Sequence, residues 1–172
     1  MFSVITPSLP DRQDLLNKCL ETVSNQIFKP QFHLIGRDFP TGNMANIRNA
    51  LVEAADALGS KWVAFVDDDD ELDPDHFQKL FDQERYADVL YSWHKDAWRY
   101  DAELPFDRKE VEKRNYLTAN FAIKTKLFKE LGGFKDMQPG EEWDFWKRLA
   151  ASGAVIKCLP EVTWEYRRSS KR

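Results

Sequence analysis

Cysteine is scarce: Cys19 and Cys158 are the only two in 172 residues. Two thiols cannot build a disulfide framework, and they lack the spacing of a zinc site, so free thiols in a reducing compartment are expected. There are only seven glycines. Neither a Walker A loop nor a G-x-G-x-x-G turn occurs, so phosphates are not held by those routes. No apolar run approaches the roughly 20 residues of a membrane span. The opening MFSVITPSLPDR has neither the basic flank nor the apolar stretch of a secretory signal. A cytoplasmic protein with no transmembrane segment is therefore expected. Linker-like Gly/Pro/Ser tracts and repeats are missing too, and at 42% apolar and 13% aromatic the chain is too hydrophobic for disorder. It also lacks positive charge: a net charge of −4 argues against a protein that coats nucleic acid.

The length is that of one domain able to bury its own core, so a single domain over 1–172 is expected. Its charge is unevenly placed. In DDDDELDPD, Asp67 to Asp75, seven of nine residues are acidic, leaving 22 acids against 25 bases elsewhere. The closing WEYRRSSKR carries four bases and one acid. An acidic knot in a mildly basic body is the feature to explain.

Strand and helix signals alternate in the first half. Phe2 to Thr6 reads as a buried strand closed by Pro7. Asp11 can cap a helix, with Asp14 in a capping-box position, whose inner face is Leu15, Leu16, Cys19, Leu20, Val23 and Ile27. Phe32 to Gly36 is a second strand. A helix striped with Met44, Ile47, Leu51, Ala54, Ala55 and Leu58 follows and stops at Gly59. WVAFV then reads as a strand buried on both faces. Asp73-Pro74 marks the start of a helix with Phe77, Leu80 and Phe81 inward, and Val89 to Trp93 is a further strand. This order predicts an α/β fold with a Rossmann-like, mostly parallel sheet flanked by helices. Residues 94–116 show no clear period and read as irregular. Thr125 can cap a short helix ended by Gly132-Gly133. Glu141 to Ser152 reads as a longer helix, with short strands around Val155–Leu159 and Val162–Tyr166.

In an open parallel sheet, ligands bind beyond the carboxyl ends of the strands. Those ends are Thr6-Pro7-Ser8, Arg37-Asp38 and Asp67 to Asp70, so the knot begins where WVAFV ends. Crowded carboxylates repel and call for a cation or a raised pKa. Hard ions such as Mg2+ or Mn2+ take carboxylate oxygens and keep water and phosphate as their other ligands. Asp67 and Asp69 can turn toward one such ion, whereas Glu71, Asp73 and Asp75 read as solvating a turn and charging a helix start. An EF-hand is excluded, because a loop from Asp67 would need glycine and glutamate where Leu72 and Gln78 stand. A second acidic pair, Glu141-Glu142, opens EEWDFWKRLA. Glu142 falls on the side of Phe145, Trp146 and Leu149 and can point into a cleft or simply complement the helix dipole.

Four segments, in order, carry a resemblance: SVITPSLPDRQDLLNKCLETVSNQ, GNMANIRNALVEAA, WVAFVDDDDELDPDHF and LFKELGGFKDMQPGEEWDFWKRLAASG. Together the chain resembles the inverting GT-A-fold glycosyltransferases of family 2, over about residues 2–168. The resemblance implies a GT-A fold with a nucleotide-binding half over 1–93 and an acceptor-side half over 94–172. It implies transfer of a sugar from a nucleotide-diphosphate donor to an acceptor hydroxyl by single displacement. Thr6, Pro7 and Ser8 would line the nucleoside pocket, Asp38 would meet the base, Arg48 the base or phosphates, and Asp67, Asp68 and Arg167 the donor. Asp69, with Asp67, would form the DXD metal site for Mn2+ or Mg2+, and Glu142 matches the family's general base. Family habit favours UDP-sugars weakly; the acceptor is open among glycan, lipid headgroup, protein side chain and modified nucleic acid.

The chain departs from the family pattern in three places. Glutamate stands where aspartate is usual for the base, leaving Glu141 or Glu142 open. LIGRDFPTG carries Arg37 ahead of Asp38. Tyr166-Arg167-Arg168-Ser169 lacks the family's histidine, leaving Arg167 or Arg168 for phosphate, with Lys171 and Arg172 adding to a basic tail. His33 and His76 read as structural, while His94 is open between packing and a substrate contact. Trp98 and Trp143 are open between packing and stacking on a sugar. Two alternatives stand beside the transferase: a non-catalytic nucleotide-sugar-binding module, and an aspartate-nucleophile phosphohydrolase built on FVDDDDEL.

Overall fold

The computed structural model describes residues 1–37, 43–96, 105–137 and 139–167. Its elements in chain order are β1 (Phe2–Ser8), α1 (Gln13–Ser24), β2 (Phe32–Arg37), α2 (Met44–Ala57), β3 (Trp62–Phe65), β4 (Glu71–Leu72), α3 (His76–Phe81), β5 (Val89–Asp96), α4 (Arg108–Lys113), β6 (Ala122–Lys124), α5 (Thr125–Glu130), α6 (Glu141–Ala151) and β7 (Ile156–Tyr166), with a 3-10 turn at Glu84–Tyr86. One seven-stranded sheet holds them in the order β2-β1-β3-β6-β5-β7-β4. β1 pairs in parallel with both β2 and β3, and β5 with β7; β6 and β4 run against their neighbours. Five strands thus point one way and two the other, so the sheet is mostly parallel.

Strand side chains alternate between two cores. Ile5, Val63, Phe65, Val89, Tyr91 and Ile123 face α2, α4, α5 and α6. Phe2, Val4, Trp62, Ala64, Leu90 and Ala122 face α1 and α3 through Cys19, Val23, Phe77, Leu80 and Phe81. The result is a three-layer α/β domain, as the alternating pattern predicts. In the first core, Phe65, Phe121, Phe128, Phe134, Phe145 and Trp146 form a continuous aromatic wall, with Phe134 and Phe145 centroids 4.9 Å apart. Among the described residues, no helix is long and apolar enough to cross a membrane.

Several local expectations need correction. α1 begins after Arg12, not Asp11, and its cap position makes no side-chain bond, because a guanidinium has only donors and cannot accept from the helix N–H groups. α3 begins two residues beyond Asp73-Pro74. Gln26 Nε2 takes the Asp73 carbonyl at 2.7 Å and its Oε1 accepts from Phe77 N, so a side chain from α1 supplies the ordering at this helix start. Thr125 sits inside α5, and its hydroxyl donates to the Ser60 carbonyl at 2.7 Å. The irregular stretch contains α4, capped by Asp107, which accepts from Lys109 N and Glu110 N. The two closing strands are one, β7. Its ladder with β5 shifts between Ser92 and Trp93, opposite Pro160 and Glu161, where a residue without an N–H is tolerated.

Candidate functional site

The carboxyl ends of β2, β1 and β3 meet on one edge. Ser8 lies opposite Arg37, and Val66 N donates to the Ile5 carbonyl at 3.0 Å, which brings Asp67 beside the end of β1. Thr6 and Ser8 are fully buried. The Thr6 hydroxyl shares a 2.8 Å hydrogen bond with His33 Nε2, whose pKa burial lowers to about 4. Pro7 is equally enclosed within β1. Asp38 lies outside the described residues, as do Trp98, Arg168, Lys171 and Arg172.

The acidic run turns tightly, with Asp70 N donating to the Asp67 carbonyl at 3.1 Å. Its four aspartates are met by Arg48, Arg12 and Asn120, with Arg12 shared by two of them. Asp67 accepts from Arg48 Nη2 at 2.6 Å. Asp68 pairs with Arg12 Nη1 at 2.9 Å and Asp69 with Arg12 Nη2. Asp70 is buried against Asn120, whose Nδ2 donates at 3.2 Å. Burial raises the Asp68 pKa to about 6, against the pull of the Ser8 hydroxyl and Arg12. Burial and then the Asp67 charge raise Asp69, while Arg12 opposes them. Asp70 is lifted further, by burial and then by Asp67 and Asp69. Arg12 was not singled out in the sequence. The only signal for it is one base in the loop after the first strand, and its carboxylate partners lie 57 residues away or nearly so.

Arg48 ties this knot to the second acidic pair. Its guanidinium is 3% exposed and lies 5.5 Å over the Phe134 ring. Nη1 approaches Glu142 Oε1 at 3.5 Å and Glu141 Oε1 at 3.9 Å while Nη2 holds Asp67. Burial works against the Arg48 charge, but Asp67, Glu142 and Glu141 outweigh it and raise its pKa. Neighbouring Asn49 brackets the Phe134 backbone, donating to its carbonyl at 2.8 Å and accepting from its N–H at 2.9 Å. At Gly133, with φ +63, an added Cβ would meet Asn49 Oδ1 at 2.6 Å, so glycine allows this approach. Gly140, with φ +119, aims the first turn of α6 at Arg48. Glu141 is the more buried of the pair (9% against 29%), and its Oε2 accepts from Gly140 N at 3.2 Å. As the stripe predicts, Phe145, Trp146 and Leu149 are buried.

The donor set suits a hard divalent cation. Asp67 and Asp69 present oxygen ligands close enough for one charge to disfavour the other, and Asp68 Oδ2 and Asp70 Oδ1 are buried without a hydrogen-bond partner among the described residues. Among the described residues no group of three or more His, Cys, Asp or Glu side chains is arranged to hold a metal ion.

The outer acids behave differently. Glu71 in β4 pairs with Arg167 Nη1 at 2.8 Å, which places Arg167 beside the knot, and Asp75 pairs with Lys79 at 3.0 Å. His76 is buried, its Nδ1 2.7 Å from the Thr163 hydroxyl. His94 packs against Trp164 in a tilted arrangement, with ring centroids 4.6 Å apart. Trp143 Nε1 donates to the Val111 carbonyl at 2.6 Å, tying α6 to α4.

No family model and no curated protein sequence matches this chain. Solved structures do. TarS from S. aureus (residues 1–349), in complex with UDP-GlcNAc, superposes with a TM-score of 0.79 at 17% identity over 99% of this chain and 59% of that one. The mannosyltransferase PcManGT from Pyrobaculum calidifontis, in complex with GDP-Man and Mn2+, gives 0.74 at 13% over 99% and 57%. The fold is GT-A. The chain spans less than three fifths of either neighbour.

Proposed function

We propose that this chain is a glycosyltransferase that moves a sugar from a nucleotide-diphosphate donor to an acceptor hydroxyl with inversion. One observation carries the reading: in a GT-A fold, buried Arg48 joins Asp67, at the strand ends, to Glu142 and Glu141, at the start of α6. In this reading a donor-side carboxylate and a candidate base share one guanidinium. The donor would lie over residues 1–93 and the acceptor over 94–172.

Among the described residues, Arg12 Nε and Arg48 Nε are buried N–H groups without a hydrogen-bond partner, while Arg48 Nη1 is engaged by Glu142 and Glu141 as an ion pair. Donors left unpaired on two arginines suit an arriving diphosphate, since Arg matches phosphate geometry and buried donors call for acceptors. Asp69, with Asp67, would hold Mn2+ or Mg2+, which neutralises charge on the departing diphosphate. Glu142, the more open of the pair, would accept the acceptor hydroxyl's proton at a side-chain oxygen as that hydroxyl attacks the anomeric carbon. Glu141, turned inward onto Gly140 N, would fix the helix start. Arg48 orients Glu142 and keeps it from swinging to solvent, and Arg167, anchored on Glu71, stands ready to close over the diphosphate.

TarS with UDP-GlcNAc and PcManGT with GDP-Man and Mn2+ support a nucleotide-sugar donor of either nucleoside. The phosphohydrolase alternative has no observation in its favour, because Asp67 is engaged by Arg48 rather than free as a nucleophile. The binding-module alternative differs only in turnover. The test is a panel of UDP- and GDP-sugars with Mn2+ or Mg2+, with and without chelator. Sugar release or transfer from at least one donor is expected, suppressed by chelator. Binding without any sugar loss would favour the module instead.

A further inference from the structure

Arg12 is spent on the metal segment itself. Its guanidinium spans two adjacent carboxylates, Nη1 to Asp68 at 2.9 Å and Nη2 to Asp69. Asp68 is almost fully buried and Asp69 is 13% exposed at its side chain. Arg12 Nε is buried without a hydrogen-bond partner among the described residues. Arg48 cannot take this role, because it faces Asp67 and the glutamate pair. The pairing therefore puts a fixed positive charge on the same Asp69 carboxylate that suits a divalent ion. Two cations on one carboxylate repel, and this one is only partly screened by water.

We propose that Arg12 is a built-in counter-cation that competes with the divalent ion for Asp69. In the ion-free protein it holds the acidic turn together. When the ion arrives, Arg12 gives up Asp69 but stays anchored on Asp68, which leaves Nη2 and Nε facing the diphosphate. The ion and the nucleotide then bind cooperatively, because each relieves a cost the other would meet alone. Such a protein binds metal weakly by itself and well only with the diphosphate present. This inference rests on the metal site of the proposed function.

The two roles open to Arg12 predict opposite signs. If it merely scaffolds the turn, removing it loosens the ligands and weakens metal binding. If it competes, removing it tightens metal binding. The measurement is Mn2+ titration of the intact chain, followed by the EPR signal of free Mn2+, without nucleotide and then with UDP or GDP. Arg12→Gln is expected to bind Mn2+ alone about tenfold more tightly than the parent and to show a smaller gain on adding nucleotide. Equal or weaker binding by a folded Arg12→Gln would overturn the proposal. A second measurement needs no variant: the Arg12 Nε–Hε resonance of the parent protein should shift on titration with diamagnetic Mg2+, and no shift at saturating Mg2+ would overturn it. A nucleotide-sugar thermal shift on the parent protein separates the two failures. If donors still bind while the Arg12 results contradict competition, only this inference falls.

Discussion

The two ends of the acidic run are a few residues apart and carry the same charge, yet they meet opposite fates. Asp67 to Asp70 turn inward at the end of a buried strand and are met by Arg48, Arg12, Ser8 and Asn120. Glu71 and Asp75 stay near solvent in ordinary pairs with Arg167 and Lys79. Desolvating a carboxylate costs several kcal/mol unless cations and hydrogen bonds offset it, so a fold keeps acids inside only where something compensates. Among the described residues, the inner four have two guanidinium groups between them and still leave oxygens unpartnered. The outer acids need no such explanation. The difference locates the site more sharply than the net charge does.

The contrast can be broken from the inside first. Glu142→Gln should leave donor binding intact and lower the transfer rate by about 10²–10⁴-fold, the usual contribution of a general base, as read by single-turnover kinetics. Retained turnover would move the base to Glu141. Arg48→Gln strands Asp67, Glu142 and Glu141 around an uncharged group, and breaking a buried pair costs about 3–5 kcal/mol, which denaturant unfolding would measure. His76 offers a matched case, a buried group with no compensating arginine. Burial holds its pKa down at about 3, against the pull of Asp75. The unfolded chain takes up this proton below about 6.5 and the fold does not, so stability present above that pH is lost as pH falls. The stability gap between parent and His76→Asn should therefore narrow by about 1.4 kcal/mol per pH unit from 6.5 down to 5. At the outer end, Asp75→Asn should leave the unfolding midpoint unchanged and Mn2+ affinity untouched.

Much of the fold was legible because its signals are local. Alternating strand and helix periods gave β1, α1, β2, α2, β3, β5 and α6 nearly where they lie. What escaped depends on distant partners. β6 is three residues long, too short for a period, and exists because Trp62, Val63 and Ala64 pair with it on one side and β5 on the other. Thr125 looks like a helix cap in sequence, but Ser60, 65 residues away, claims its hydroxyl. The inner aspartates were visible from the strand ahead of them and the glutamate pair from its helix. Arg12 was not, since a lone base in a loop acquires meaning only when the fold brings Asp68 and Asp69 against it.

Asp69 is the residue on which donor and metal binding both turn. Binding of UDP- and GDP-sugars, followed by the rise in melting temperature with and without Mn2+, reports ligand uptake by mass action. The parent protein should show a Mn2+-dependent rise with at least one donor, and Asp69→Asn should fold but lose it. No rise with any nucleotide sugar in the parent, or a full rise in Asp69→Asn, would contradict the assignment of this turn as the donor and metal site.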